Sequence, residues 1–273
     1  MKVENNTYRN IYIDVTLKCN MLCPTCYNRY SKGEDLTLEY LEEVFKRLPN
    51  KVLVRFLGGE PTIYPYLFEA INLAKKYHHI PSFVTNGLKL SENDYIKNLN
   101  KVKPIFVGLS FDGGLNDDYY KKINGRNCLD FKLKAVENLF KNGYKRVSLC
   151  TTVIRGLNES AVYETFKVAE NYNIKYIHFR SAGITTSKSF TLDELEDLIA
   201  EVFPQIKNPY RKIERDEKCC GCCKAIWITK NMQLLLIAPD SIKNDNCFVR
   251  GYLRDNFEIE PFYKSIRERF KHE

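Results

Sequence analysis

The chain has 273 residues, 44% hydrophobic and 13% aromatic, which suits one large domain, or one domain with an appendage, around a full core. No run of about 18 apolar residues exists, so no membrane-spanning helix is expected. The opening "MKVENNTYRNIYI" lacks the apolar stretch of a signal peptide, so a reducing, cytoplasmic location is expected. The net charge of +8 is carried by scattered lysines with no dense basic run, which lends only slight support to a nucleic-acid partner.

In chain order, "NIYIDVT" (10–16) reads as a short strand. "TLEYLEEVFKRL" (37–48) spaces Leu38, Leu41, Val44, Phe45 and Leu48 as a helix does. Strands are predicted at 51–58, 81–87, 105–111, 146–154 and 174–182. Helices are predicted between them at about 66–77, 91–99, 130–142 and 159–172, and then at 191–203. Ser91 is the expected cap of the third helix, Gly143 the stop of the fourth, and Thr191 with Glu194 a capping box on the last. Six strands, each followed by a helix, predict a parallel sheet with right-handed crossovers. Six units fall short of the eight in a closed barrel, so a partial (β/α)6 barrel is the first expectation and a flat doubly wound sheet the second. In both, ligands bind at the C-terminal strand ends.

Composition changes near Pro204, dividing the chain into residues 1–204 and a cysteine-rich extension over 205–273. Two short strand-like runs, 225–229 and 233–238, predict a hairpin, and a helix is expected near 261–270.

The ten cysteines are clustered, which in a reducing compartment favours metal or redox chemistry over disulfides. "LKCNMLCPTCYN" places Cys19, Cys23 and Cys26 within eight residues on the loop after the first strand. Three thiolates suit zinc or an iron–sulfur cluster. Structural zinc would want a fourth ligand, and none is near in sequence. A three-ligand site leaves one metal position open, as catalysis needs. "LGGEP" ends the second strand: Gly58 and Gly59 allow close backbone approach, and Glu60 can receive an ammonium group.

The spacing of Cys19, Cys23 and Cys26, followed one βα unit later by Gly58, Gly59, Glu60 and Pro61, resembles the radical S-adenosylmethionine (SAM) superfamily over about residues 8–185. The resemblance implies that the three cysteines hold a [4Fe–4S] cluster whose fourth iron is chelated by SAM. It implies that Glu60 binds the SAM amino group. It implies reductive cleavage to a 5′-deoxyadenosyl radical that takes a hydrogen atom from the substrate, and a reductant such as flavodoxin or ferredoxin. One departure is local: an aromatic residue often precedes the third cysteine in the family, whereas here Thr25 does and Tyr27 follows. "TNG" (85–87) and "LSFDG" (109–113) resemble polar strand ends near the SAM ribose and carboxylate, with Asn86, Ser110 and Asp112 as candidates; plain Asn-Gly and Asp-Gly turn chemistry is the alternative. "TTVIRGLNE" (151–159) resembles the fifth-strand motif, where apolar residues and backbone lie against adenine, with Val153 and Asn158 as the candidates. Arg180, at the end of the sixth strand, is a candidate for the SAM carboxylate, with a surface salt bridge as the alternative.

The extension carries Cys219, Cys220, Cys222, Cys223 and Cys247, resembling the twitch or SPASM-type extensions that hold an auxiliary [4Fe–4S] cluster. Structural zinc and unligated thiols are the alternatives. Cys128 and Cys150 read as buried small hydrophobes, with a place facing the barrel interior the alternative for Cys150; His178 reads as a core histidine, with substrate contact the alternative if it faces inward, and Trp227 as core. The resemblance implies a radical SAM enzyme acting on a ribosomal peptide or a small metabolite, with modification of a nucleotide or nucleic acid as the other enzymatic reading. A non-enzymatic iron–sulfur or zinc module is the remaining one; an amine-binding GGEP loop argues against it.

Overall fold

A computed structural model describes residues 1–29, 31–182, 187–212, 221–242 and 249–270. Six strands, β1 (Asn10–Thr16), β2 (Leu53–Gly58), β3 (Ile80–Thr85), β4 (Phe106–Ser110), β5 (Val147–Val153) and β6 (Tyr176–Ser181), pair in parallel in that order. Between them run α1 (Leu38–Arg47), α2 (Leu67–Lys76), α3 (Asn93–Val102), α4 (Asp117–Asn124), α5 (Leu129–Lys141) and α6 (Ala161–Asn171), and after β6 comes α7 (Leu192–Val202). Thr37 caps α1 by accepting from Tyr40 N at 3.2 Å, and Thr191 with Glu194 forms the expected capping box on α7. Gly143 follows α5 with φ +74°. Ser91 does not cap α3. Its hydroxyl donates to Leu88 O in a short 3₁₀ turn, and the helix begins two residues later.

Residues after 205 join the same sheet. β7 (Arg211–Lys212), β8 (Cys223–Trp227) and β9 (Gln233–Ile237) form an antiparallel run, and β9 lies parallel to β6. At the opposite edge β10 (Arg250–Leu253) pairs in parallel with β1, and β11 (Ile259–Pro261) returns antiparallel to β10 before α8 (Phe262–Phe270). The expected 225–238 hairpin and terminal helix are present. Their role is to widen the sheet to eleven strands in the order β11-β10-β1-β2-β3-β4-β5-β6-β9-β8-β7. The two edges meet across an apolar cluster of Cys222, Cys223, Tyr12, Tyr252, Phe262 and Tyr263. The architecture is therefore a partial barrel with its gap covered by C-terminal elements.

Strand parity divides the side chains. Ile11, Ile13, Phe56, Phe83, Leu149 and Phe179 are fully buried in the main apolar core with side chains of the surrounding helices. Burial of each such side chain contributes about 1.5–3 kcal/mol. Their strand neighbours line an interior cavity, and many are polar: Tyr12, Arg55, Ser110, Cys150, Thr152, His178, Arg180 and Arg250. Strands of a parallel sheet are usually apolar on both faces, so this inner polar set marks a site rather than a core.

The C-terminal helix is fastened through a buried ion pair. Arg269 Nη1 lies 2.7 Å from Asp14 Oδ2, which also accepts from Tyr252 OH at 3.0 Å. Arg269 donates to Tyr252 OH and to Asn28 Oδ1 as well. Asn28 follows Cys26 by two residues and donates to Gly58 O at 2.9 Å, so α8 is tied to the cysteine loop. Arg269→Ala strands the Asp14 carboxylate, whose side chain is only 5% exposed. It should cost about 3 kcal/mol in urea unfolding, and adding Asp14→Asn should restore part of that loss.

Candidate functional site

The cavity opens at the C-terminal ends of β1–β6 and encloses about 240 Å³. Cys19, Cys23 and Cys26 line it together with Gly58, Gly59, Glu60, Pro61, Asn86, Ser110, Asp112 and Arg180. The strand-end residues expected from separate motifs are thus brought to one chamber.

Each cysteine sulfur accepts an N–H: Cys19 from Met21 N at 3.4 Å, Cys26 from Asn28 N at 3.4 Å, and Cys23 from the Asn124 side chain at 3.5 Å. Such donors stabilise a ligating thiolate and tune cluster potential. Burial pushes the Cys23 thiol up to about 11, and Cys19 is raised by the same cause. A bound cation would reverse that penalty. Among the described residues no three His, Cys, Asp or Glu side chains converge on a point that one metal ion could occupy. Thr25 is exposed and Tyr27 lines the cavity, so an aromatic ring after the third cysteine stands where the family often has one before it.

The GGEP loop is built against the cysteine loop. Gly58 has φ +129°, and a Cβ there would lie 1.9 Å from Thr16 O; one on Gly59 would lie 2.1 Å from Lys18 O. Gly59 N donates to Thr16 O at 2.8 Å and Glu60 N to Lys18 O at 2.9 Å. The Glu60 side chain is buried and accepts from Thr62 N (3.0 Å), Thr62 Oγ1 (2.6 Å), Thr85 Oγ1 (2.7 Å) and Asn86 N (2.7 Å). Among the described residues it has no cationic partner. A buried carboxylate held by neutral donors and facing a cavity fits an ammonium ligand.

Asp112 is buried and equally constrained. It accepts from Thr152 N at 2.8 Å, Ser110 Oγ at 2.6 Å and Asn124 Nδ2 at 3.4 Å. Asn124 therefore links Asp112 to Cys23, and this residue escaped the sequence reading because α4 did. The signals were present: Asn116 caps α4 by accepting from Asp118 N, acidic residues fill the first turn, and Gly125 ends it with φ +78°.

Two candidates lie outside the cavity. Val153 is fully buried on the helix-facing side of β5, because parity gives the inner face to Cys150 and Thr152. Asn158 is fully buried and brackets the loops: it donates to Asp112 O at 2.7 Å and Thr152 O at 2.8 Å and accepts from Ile154 N at 2.7 Å. In this place its side chain supports the loops that follow β4 and β5. Arg180 faces the cavity, with Nη2 3.4 Å from Thr152 Oγ1, and forms no ion pair among the described residues.

Of the C-terminal cysteines, Cys219, Cys220 and Cys247 lie outside the described residues. Cys222 and Cys223 are buried with sulfurs 3.5 Å apart. Cys128 packs in a small apolar cluster with Met21, Leu88 and Tyr120, as expected. Trp227 is half-buried, with its ring 6.4 Å from that of Tyr176. Cys150 and His178 instead line the cavity, with Sγ 3.6 Å from Nδ1.

The radical SAM superfamily profile matches residues 13–169. The chain belongs to the radical SAM superfamily of enzymes. It is 34% identical over 185 residues to 7,8-dihydro-6-hydroxymethylpterin dimethyltransferase of Methanocaldococcus jannaschii, covering 63% of this chain and 36% of that one. It is 28% identical over 246 residues to GTP 3′,8-cyclase of Helicobacter pylori, covering 87% and 74%. The chain thus spans little more than a third of the length of the methyltransferase. In fold it is similar to Streptococcus suis SuiB bound to S-adenosylmethionine, with TM-score 0.69 and 15% identity, covering 93% of this chain and 60% of that one. Family membership implies a [4Fe–4S] cluster and SAM, and the donor set of Cys19, Cys23, Cys26 and Glu60 fits both. No described helix is long and apolar enough to cross a membrane.

Burial, then the charges of Arg55 and Arg250, push the His178 imidazole down to about 3. An unfolded chain takes up the proton near 6.5 while the folded one resists it, so stability falls as pH drops below 6.5. The slope from His178 is at most about 1.4 kcal/mol per pH unit. His79, lowered by burial, acts in the same direction. Urea midpoints from pH 7 to 5 should fall for the native chain and fall less steeply for His178→Asn.

Proposed function

We propose that this protein cleaves SAM reductively and uses the 5′-deoxyadenosyl radical to take a hydrogen atom from a small-molecule substrate in the same cavity. The observation that carries the reading is the meeting of three N–H-supported thiols with a buried, cation-free Glu60 at one end of a single chamber. When bound, the cluster and SAM supply the electron and the sulfonium whose cleavage yields methionine and that radical. Cys19, Cys23 and Cys26 hold the cluster. Glu60 holds the ammonium end of SAM, and Gly58 and Gly59 allow the backbone to approach it. Asn86, Ser110, Asp112 and Arg180 orient the rest, and α8 with Tyr27 limits entry of water.

Of the substrate classes expected from sequence, a small metabolite is the reading favoured over a peptide. Two curated relatives are named for a pterin and for GTP, which supports a compact heterocyclic substrate. An auxiliary cluster at the C-terminal cysteines is part of the proposal, supported by the paired sulfurs of Cys222 and Cys223. A flavodoxin or ferredoxin is the reductant class that the chemistry calls for.

The test is anaerobic reconstitution with SAM and dithionite. The native chain should form 5′-deoxyadenosine, and Cys→Ala at 19, 23 and 26 should abolish it; a fully reconstituted native chain that forms none refutes the reading. Iron should approach about eight per chain with the auxiliary cluster, and about four without it.

A further inference from the structure

We propose that the floor of the cavity is an oxyanion subsite formed by Arg55 and Arg250, and that the substrate is a small molecule whose phosphate or carboxylate docks there. This rests on reading the cavity as the substrate chamber of a SAM-cleaving enzyme. Arg55 on β2 pairs in register with Tyr12 of β1, and Arg250 on β10 pairs with Asn10. The two guanidiniums thus rise from strands on either side of β1, and both line the cavity. Thr16 and the cysteine loop lie at the far end of β1, four residues beyond Tyr12 and six beyond Asn10. At about 3.3 Å per residue, the arginine backbones sit roughly 13 and 20 Å below that end. The subsite is therefore separate from the residues that face SAM.

Neither arginine forms an ion pair among the described residues. Asp14, the acidic side chain of β1 nearest in sequence, is taken by Arg269. Glu60 and Asp112 are held at the opposite end by their own donors. Arg250 is 4% exposed, and its guanidinium donates to Tyr263 OH at 2.9 Å. Arg55 Nε is buried without a hydrogen-bond partner, and its Cζ lies 5.7 Å from the Tyr12 ring centroid. Desolvated, unpaired guanidiniums are unfavourable unless something pairs with them, and their planar donor forks match phosphate and carboxylate oxygens. His178, kept neutral beside them, adds a hydrogen-bonding group without adding acid character. An anion at this floor would leave the rest of a compact substrate extending toward the thiols.

The reconstituted full chain, without SAM or reductant, is titrated calorimetrically at fixed ionic strength with inorganic phosphate, succinate and a triglutamate peptide. Phosphate or succinate should bind saturably, the stronger of the two naming the substrate's anion. Arg55→Gln should weaken that binding by about tenfold or more, with Arg55→Lys intermediate. On the native chain, the binding anion should protect Arg55, the more accessible of the two, from phenylglyoxal, read by peptide mass spectrometry, which needs no folded variant. Absence of binding by both small anions, binding of the peptide alone, unchanged affinity in Arg55→Gln, or absence of protection overturns the proposal. Because no SAM cleavage is read, failure here and failure of the 5′-deoxyadenosine assay are separate results.

Discussion

The Glu60 carboxylate holds the top of the barrel together. Its four donors come from its own loop and from the end of β3, while its backbone N–H and that of Gly59 reach back to the loop after β1. Three consecutive strand ends are thereby locked in one arrangement, and the cysteine loop is draped over them. The backbone must pass within contact distance of Thr16 and Lys18 carbonyls, which only glycine at 58 and 59 permits. A charge buried this way carries a desolvation cost that neutral donors offset only in part. The cost is tolerable at a site because the same geometry preorganises the carboxylate for a cationic ligand.

The chamber is electrostatically divided along its axis. The Glu60 and Asp112 carboxylates and the three clustered thiols occupy the strand ends together with Arg180, and Arg55 and Arg250, neither in an ion pair among the described residues, occupy the floor. The apolar face of the same strands, packed against the helices, supplies the stability that this polar lining does not. A βα-repeat sheet can separate these duties because side chains alternate faces along each strand. One residue of register slip would exchange the Arg55, Cys150 and His178 set for Val54, Leu149 and Ile177, removing site and core together.

Much of this was legible from pattern. The helix caps at Thr191 and Gly143, the six βα units and the cysteine and GGEP motifs depend on local spacing, and they lie where spacing predicts. Strand parity places Val153 on the helix-facing side: Cys150 and Thr152 take the inner face, so its side chain is not part of the cavity lining. For His178 and Cys150 the sequence leaves core and inward-facing readings both open, because burial alone does not distinguish a packed interior from a lined cavity. Arg55 and Arg250 carried no motif. Their meeting depends on β10 pairing with β1 across nearly the whole chain, and no local pattern announces a contact between residues 10 and 250. β10 and β11 are four and three residues long, too short for periodicity to declare them.

That long-range pairing also explains why the C-terminal segment belongs to the site rather than decorating it. β9 and β10 extend the sheet from opposite edges, and Phe262 and Tyr263 fill the space between. Removing these elements would open the chamber along its length and leave Arg250 without a strand to carry it. A radical enzyme needs its chamber closed, because a carbon radical quenched by solvent or a stray side chain is a lost turnover. The Asp14–Arg269 pair and its bonds to Asn28 join that closure to the loop bearing Cys26. Anything that loosens α8 should therefore be felt at the cysteines, and anything that reorganises the cysteine loop should be felt at the barrel's closing wall. Chamber closure and cysteine-loop geometry are in this way coupled through the Asp14–Arg269 pair and its hydrogen-bonded neighbours Asn28 and Tyr252.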